Sequence, residues 1–525
     1  MSESPDGHEP PEREELLTDF VARQATARPD APALGYQGSW WSWREWQDRI
    51  QRLAGALVTM GVRRGDRVAC LEKNHPAGLE TVLAAATLGA AVVMCNWRLA
   101  ADELAHVLGE SRPRILFHGT QFTELVATAR SGQDTIEHVV VIGGDPDAYE
   151  RLIAQSKPPP TPHHVTGEDV ALIVHSSGTT GRPKGVLLSQ RALVTHTVNV
   201  GTRFPFAAGD RNLVAMPLFH VGGVCYALLG IRAGAPTLLT REPRPAELLE
   251  ALGAGATHAF LVPPVIAGLL DVGGPAAVAM SRLRFLGYGA APTPLPLLRR
   301  ALSAWPDVDF VQVYGQTELS GVATTLGAAE HRDRARPHLL LAVGTPVPGC
   351  EVRVVDPATG ANLPPEERGE LWVRTRQAMS GYLGEPEATA ETITRDGWLR
   401  TGDIGHLDAE GYVYLDDRLK DMIISGGENV YGPEVERVLL TCPGVRDAAV
   451  VGVPHPRWGE AVHALVVADE GTAAGDVIAF CHRYLAGYKC PLSVGFVLEL
   501  PRNTAGKVLK RQLRCPGQGR TQSSC

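Results

Sequence analysis

The chain is 525 residues long, with 50 Lys and Arg against 58 Asp and Glu and a formal net charge of −8. No stripe of basic residues runs along it, which argues against a nucleic-acid or membrane-surface partner. Nine cysteines, scattered and without a C-x-x-C pair, suit a reduced cytoplasm rather than a disulfide framework or a zinc site.

The N-terminus (MSESPDGHEPPEREELL) is acidic and Pro-rich, the reverse of a signal peptide's basic-then-apolar order. Short apolar runs then alternate with helical patterns: DRVACL at 66–71, AVVMC at 91–95, RILFHG at 114–119, HVVVIG at 138–143 and ALIVH at 171–175. Fully apolar short strands separated by helices predict parallel sheets covered on both faces. The uncharged stretch from Thr81 to Trp97 is seventeen residues, just short of a membrane-spanning helix. It divides into a helix ending near Gly89 and a strand over Ala91–Cys95. KPPPTP (157–162) reads as a stiff linker.

The segment after the linker is the most informative in the chain: His175 to Val186, HSSGTTGRPKGV. Hydroxyls and close-approaching backbone N–H groups suit a polyphosphate, and Lys184 supplies counter-charge. This is not a Walker loop, which needs Gly before the lysine and Ser or Thr after it. Here Pro183 precedes Lys184 and Gly185 follows, then VLLS (186–189) reads as a strand and a helix begins at about Ala192. The loop is therefore expected between two strands.

Further along, PLFHVGG (217–223) sets His220 beside two glycines, a context in which a lone histidine is more often a core group than a ligand. GYGAAP (287–292) follows the strand-like RLRFL and offers backbone groups to flank a flat base, but lacks the third glycine of a dinucleotide fingerprint. YGQTE (314–318) combines an aromatic face, hydroxyls and the carboxylate of Glu318. That carboxylate either holds Mg²⁺ or caps a turn. After about residue 345, dense Gly, Pro and Asp turn signals between short strands predict a small β-rich unit. TGD (401–403) and DRLKD (417–421) face each other across a hairpin-like segment, where Asp403 and Arg418 hold either a ribose or each other. From Leu419 the pattern becomes α+β, with helices near Pro433–Leu440 and Gly475–Leu485, strands at 448–453 and 463–468, and a polar tail after 515. Lys507 falls in the Gly-containing segment NTAGKVLK (503–510), by itself an ordinary surface charge.

In this order and spacing, the segments resemble the AMP-forming adenylate-forming superfamily, in particular its acyl-CoA synthetase branch. The similarity runs from about Leu16 to Arg514. It implies an α/β fold: a large N-terminal domain (1–417) of two αβ-layered subdomains plus a small β-barrel-like part, and a smaller mobile α+β C-terminal domain (418–525). By matching positions, Ser176, Ser177, Gly178, Thr179, Thr180, Gly181 and Lys184 would hold the β- and γ-phosphates of ATP. Gly289, Ala290, Ala291 and Pro292 would flank adenine, with Tyr314 stacked on it and Gly315, Gln316 and Thr317 beside it. Glu318 would bind Mg²⁺, Asp403 and Arg418 the ribose, and Lys507 the acyl carboxylate and α-phosphate. Lys420 would be the hinge, and the loop with Gly426 and Gly427 would enter the site after rotation. Trp458 and Tyr488 match positions near the coenzyme A nucleotide, whereas Cys490 stands where some relatives carry a basic residue. His220 would border the carboxylate, and Val221, Gly222, Gly223, Tyr288, Gly289 and Gly315 would wall an apolar, medium-to-long or bulky acyl group.

The implied reaction joins a carboxylic acid to ATP, releasing pyrophosphate, and a thiol then displaces AMP. Coenzyme A is the expected acceptor. A carrier-protein phosphopantetheine and a non-catalytic nucleotide-binding role stand as alternatives, and a homodimer is left open. The expected location is cytoplasmic, with no membrane span.

Overall fold

The structure, a computed structural model, describes residues 14–160, 164–176, 183–419, 421–425, 428–502 and 507–514. Contacts divide the chain into two compact units. The first runs to Ala259 and also takes in Gln316–Gly321 and Arg376–Glu391; the second holds Phe260–Gly315, Val322–Thr375 and the chain from Thr392 onward.

The first unit is organised by a seven-stranded sheet in the order Gly381–Tyr382, Lys184–Ser189, Val170–Ser176, Ala91–Met94, Arg67–Leu71, Ile115–Gly119 and His138–Ile142. The five apolar runs singled out in the sequence are its parallel strands. The helix Pro76–Thr87 is buried on every side, which is why the stretch from Thr81 carries no charge: a helix apolar all round belongs in a core. Its one acidic residue, Glu80, is paired with Arg49 at 2.7 Å and accepts from the Tyr149 hydroxyl. A second sheet places the parallel strands Pro32–Tyr36, Thr237–Leu239 and Asn212–Val214 side by side. At the edge of the first sheet, Lys184–Ser189 turns antiparallel to Val170–Ser176. The helix that follows starts at Gln190, two residues earlier than its apolar pattern suggests, because Ser189 caps it by accepting from the Ala192 N–H.

In the second unit, Phe285–Gly289 lies parallel to Asp309–Val313. The strand begins three residues later than RLRFL predicts and runs through the glycines, since Gly287, Tyr288 and Gly289 pair with Val311, Gln312 and Val313. The β-rich stretch is a row of antiparallel strands: Ala342–Pro346, Val413–Arg418, Leu399–Leu407, Gly369–Thr375 and Cys350–Val355. Register shifts in three of these pairings add local twist, which curls such a row. The C-terminal part has its own sheet, with Val445–His455 against Gly459–Ala468, and the helices Gly432–Leu439 and Ala474–Tyr484. Val435, Leu439, Val450, Val462, Cys481 and Cys490 share its core. Among the described residues no helix is long and apolar enough to cross a membrane.

Candidate active site

Two clusters of polar groups stand out, one in each unit. In the first, the antiparallel pair that ends at Ser176 and restarts at Lys184 sets those residues opposite each other. Ser177, Gly178, Thr179, Thr180 and Gly181, which complete the connection, lie outside the described residues. The short strand Gly381–Tyr382 pairs with Val186 and Leu187 and brings Tyr382 alongside. Glu318, in the 3₁₀ turn Thr317–Leu319, is 9% exposed. Its Oε1 accepts from the Tyr382 hydroxyl at 2.9 Å and lies 3.5 Å from Ser176 Oγ. The Lys184 ammonium sits 5.1 Å from the centre of the Tyr382 ring and 3.0 Å from Glu385 Oε2. Tyr382 and Glu385 escape a sequence reading because a two-residue strand carries no periodicity. The signal available was the pattern GYLGEPEAT, where turn residues surround one aromatic and two acids.

Among the described residues no group of three or more His, Cys, Asp or Glu could enclose a metal ion. Mg²⁺ does not need one: it keeps water and phosphate oxygens and takes one or two carboxylates. Glu318, with hydroxyl oxygens as its neighbours and no cationic partner among the described residues, fits that demand. When bound, Mg²⁺ supplies charge neutralisation on the phosphates.

In the second unit, Asp403 and Arg418 are cross-strand partners in one hairpin. Arg418 Nε is 2.6 Å from Asp403 Oδ1, and the Tyr314 hydroxyl donates to Oδ2 at 2.8 Å. Burial first, and then the Asp403 charge, push the Tyr314 phenol well above its ordinary range, so it stays a donor. Behind Asp403, Thr401 accepts from the Asp403 N–H and donates to the Leu371 carbonyl. Ala290 adopts a left-handed φ of +63° directly after Gly289, a conformation costly for a side-chain-bearing residue. Ala291 is half-buried and Pro292 exposed, while Gly315, Gln316 and Thr317 are half-buried.

Three expected acyl-wall residues turn out to have other duties. Tyr288 is 0% exposed and its hydroxyl meets His331 Nε2 at 2.7 Å, so it presents no surface to a substrate. A Cβ on Gly223 would lie 2.2 Å from the Pro217 carbonyl oxygen, and one on Gly289 2.3 Å from that of Val313. Backbone approach by itself requires a glycine at both positions. His220 is the N-cap of Val221–Ala233, packed on Phe219 at 4.5 Å. Burial, helped by Arg98, lowers its pKa to about 4, so the ring is neutral at pH 7. Val221 and Gly222 are half-buried.

In the C-terminal part, Lys507 is half-buried, one residue before Val508, which bridges to Arg502. Trp458 stacks on His455 at 4.7 Å, and Tyr488 is exposed beside the Lys489 ammonium. Lys489 itself pairs with Glu434 at 2.7 Å. Cys490 is buried in the core, which explains why no basic side chain stands there. Lys420, Gly426 and Gly427 lie outside the described residues.

The chain belongs to the AMP-binding enzyme family: that family's profile matches residues 21–383, and its C-terminal domain profile matches 434–507. Feruloyl-CoA synthase of an Amycolatopsis species is 39% identical over 96% of this chain and 99% of its own. Fatty acid–[acyl-carrier-protein] ligase ScoC of Streptomyces coeruleorubidus is 35% identical over 95% and 96%. The O-succinylbenzoate coenzyme A synthetase (MenE) of Bacillus subtilis, solved with ATP and a magnesium ion, superposes with a TM-score of 0.83 at 28% identity, covering 95% of this chain and 99% of that one. The chain is accordingly an AMP-forming acyl-CoA ligase that uses ATP, Mg²⁺ and coenzyme A.

Proposed function

We propose that this ligase condenses a bulky, largely apolar, ring-bearing carboxylic acid with ATP and passes the acyl group to coenzyme A. The observation that carries the nucleotide assignment is Asp403, fixed by Arg418 on one oxygen and Tyr314 on the other. A carboxylate so held is ready to accept from vicinal sugar hydroxyls without reorganising. The ring-bearing acid is supported by the neutral environment of His220 and by relatives named for ferulate and succinylbenzoate.

Each group has a task. Ser176, Lys184 and the loop between them take the departing β- and γ-phosphates, and Lys184 exchanges Glu385 for phosphate oxygens. Glu318 would hold the cation, whose charge would offset repulsion between the two anionic substrates. The acid's carboxylate oxygen attacks the α-phosphorus, the bond to the bridging oxygen breaks, and pyrophosphate leaves with the electron pair. Lys507, in the C-terminal domain that begins at about residue 418, stabilises the charge developing at the carboxylate and α-phosphate. The coenzyme A thiolate then attacks the acyl carbon and AMP leaves. Trp458 and Tyr488 are the aromatic surfaces for the coenzyme A nucleotide.

A second reading, transfer to a carrier-protein thiol, is favoured by the similarity to ScoC. Pyrophosphate release across aromatic and aliphatic acids, with coenzyme A and a phosphopantetheinyl carrier as acceptors, separates the two. Thioester formation on carrier alone would overturn the coenzyme A assignment. Faster turnover of straight-chain acids than of any ring-bearing acid would overturn the substrate class.

A further inference from the structure

His196 has no duty in any of this; like His175, which has Glu110 3.3 Å from its Nε2, it has both ring nitrogens without a hydrogen bond, but it has no carboxylate beside it. It lies on the inner face of the helix Gln190–Gly201 and is 2% exposed, yet among the described residues neither ring nitrogen meets a hydrogen-bond partner. The other three fully buried histidines among the described residues are all satisfied. His118 bonds the Gly119 carbonyl, His258 the Pro205 carbonyl, and His331 both Tyr288 and the Gly327 carbonyl. Leaving a donor and an acceptor unpaired in a core is costly, and such groups in a native fold call for a reason.

The neighbourhood suggests the reason. One turn further along the same helix, Asn199 donates to Gln377 at 2.9 Å; Gln377 in turn donates to the Leu319 carbonyl and accepts from the Ser320 hydroxyl. This clamp fixes the helix against the turn that carries Glu318. At the end of that turn stands Gly321, with φ +117°. A Cβ there would lie 3.1 Å from His196 Nε2, so a glycine keeps the space beside that nitrogen clear. The strand leaving Lys184 runs directly into this helix, and the helix beginning after His220 packs on it. An imidazole with one N–H and one bare nitrogen thus waits behind the turn that carries the cation-binding carboxylate.

We propose that His196 is a specificity residue of the acyl site, paired with a hydroxyl on the ring of the acid. This rests on the ring-bearing reading above. A hydroxyl is the complement of a neutral imidazole, since it can accept from the N–H and donate to the bare nitrogen. Burial keeps the ring in that neutral state, with its pKa lowered to about 4. A site built around such a pairing rejects the analogue lacking the hydroxyl, because the imidazole is then left unpaired again.

The test compares 4-hydroxycinnamate with cinnamate by acid-dependent pyrophosphate release. In the unaltered enzyme kcat/KM favours the hydroxy acid by at least about tenfold. In His196→Phe that ratio collapses towards one, mostly through KM of the hydroxy acid, with KM for ATP unmoved. His196→Asn, which retains a donor and an acceptor, recovers part of the ratio. Thermal melting of ligand-free His196→Phe shows no loss of stability, since no hydrogen bond is removed. A ratio unchanged by His196→Phe, or a ratio near one in the unaltered enzyme, overturns the inference and leaves the ligase reading standing. Turnover of straight-chain acids with neither aromatic acid accepted overturns the inference and the ring-bearing reading together.

Discussion

Tyr382→Phe is the sharpest probe of the cation-binding assignment, because it removes one oxygen and leaves the ring in place. The Tyr382 hydroxyl donates to Glu318 Oε1 at 2.9 Å, whereas the Ser176 hydroxyl, at 3.5 Å, is too distant to take over. A hydrogen bond to a charged acceptor contributes about 1.5–3 kcal/mol, and the half-buried position of Tyr382 argues for the lower end. About 1.5 kcal/mol corresponds to roughly a tenfold rise in the Mg²⁺ concentration needed for half-maximal rate. The Phe ring remains under the Lys184 ammonium, 5.1 Å from it in the parent, so the cation–π contribution of about 0.5–1 kcal/mol survives. Tyr382→Ala loses both and falls a further few-fold. The assay is pyrophosphate release at saturating acid while Mg²⁺ is titrated at fixed ATP. An unmoved Mg²⁺ midpoint in Tyr382→Phe, or a loss of kcat that no amount of Mg²⁺ restores, would refute the assignment of Glu318 as the cation ligand.

Three more outcomes are expected. Lys507→Ala slows acyl-adenylate formation at least roughly a hundredfold while affecting thioester formation from preformed acyl-adenylate far less; equal losses in both half-reactions would remove its assigned role. Gly289→Ala destabilises the fold by roughly 1–3 kcal/mol in denaturant titration, because the added carbon meets the Val313 carbonyl oxygen at 2.3 Å inside a parallel ladder. An unshifted midpoint would mean the ladder yields. Acid lowers stability between about pH 6.5 and pH 4, read from melting temperature across that range. His196 and His331 are buried neutral with pKa values lowered to about 4, so the unfolded chain binds more protons than the native one in that window. Each contributes on the order of 3 kcal/mol that is present above pH 6.5 and lost as pH falls through 4. Asp417 opposes this: burial raises its pKa to about 6, so it favours the native state as pH falls, but one carboxyl does not cancel two histidines. A melting temperature that rises on acidification would contradict these signs.

Much of the site was legible because its chemistry is local. Asp403 and Arg418 sit fifteen residues apart around turn signals, which is enough to predict a hairpin and hence their facing register. The same holds for Ser176 and Lys184, whose loop is bounded by apolar runs on both sides. The glycines read as ligand walls are harder to interpret. In sequence, a glycine kept for a substrate and a glycine kept for a neighbouring carbonyl look alike; at Gly223 and Gly289 only the structure shows that the carbonyl of Pro217 or Val313 already requires one. Tyr288 misled for a related reason. It alternates with two glycines on one strand, and the pleat sends its ring into the core towards Phe310 and His331. Tyr382, Glu385 and His196 were invisible because each depends on contacts far along the chain, such as that between Tyr382 and Glu318, 64 positions apart.

Sequence motifs alone leave each acid a second reading, and the charge accounting around each favours Asp403 for the sugar and Glu318 for the metal. Asp403 already has a guanidinium at 2.6 Å and a phenol at 2.8 Å, so its charge is spent and its oxygens are fixed in direction. A second cation brought there would face Arg418 and gain little, whereas neutral hydroxyl donors lose nothing by that neighbour. Glu318 is buried to a similar degree, but among the described residues its hydrogen-bond partners are hydroxyls, and the nearby ammonium of Lys184 pairs with Glu385 instead. A buried carboxylate with no cationic partner is expensive until one arrives, which makes it the better binder of a divalent ion. Glu385 keeps Lys184 from filling that role beforehand. The lysine therefore remains available for the phosphates, and the two positive charges needed at the pyrophosphate end enter on different ligands.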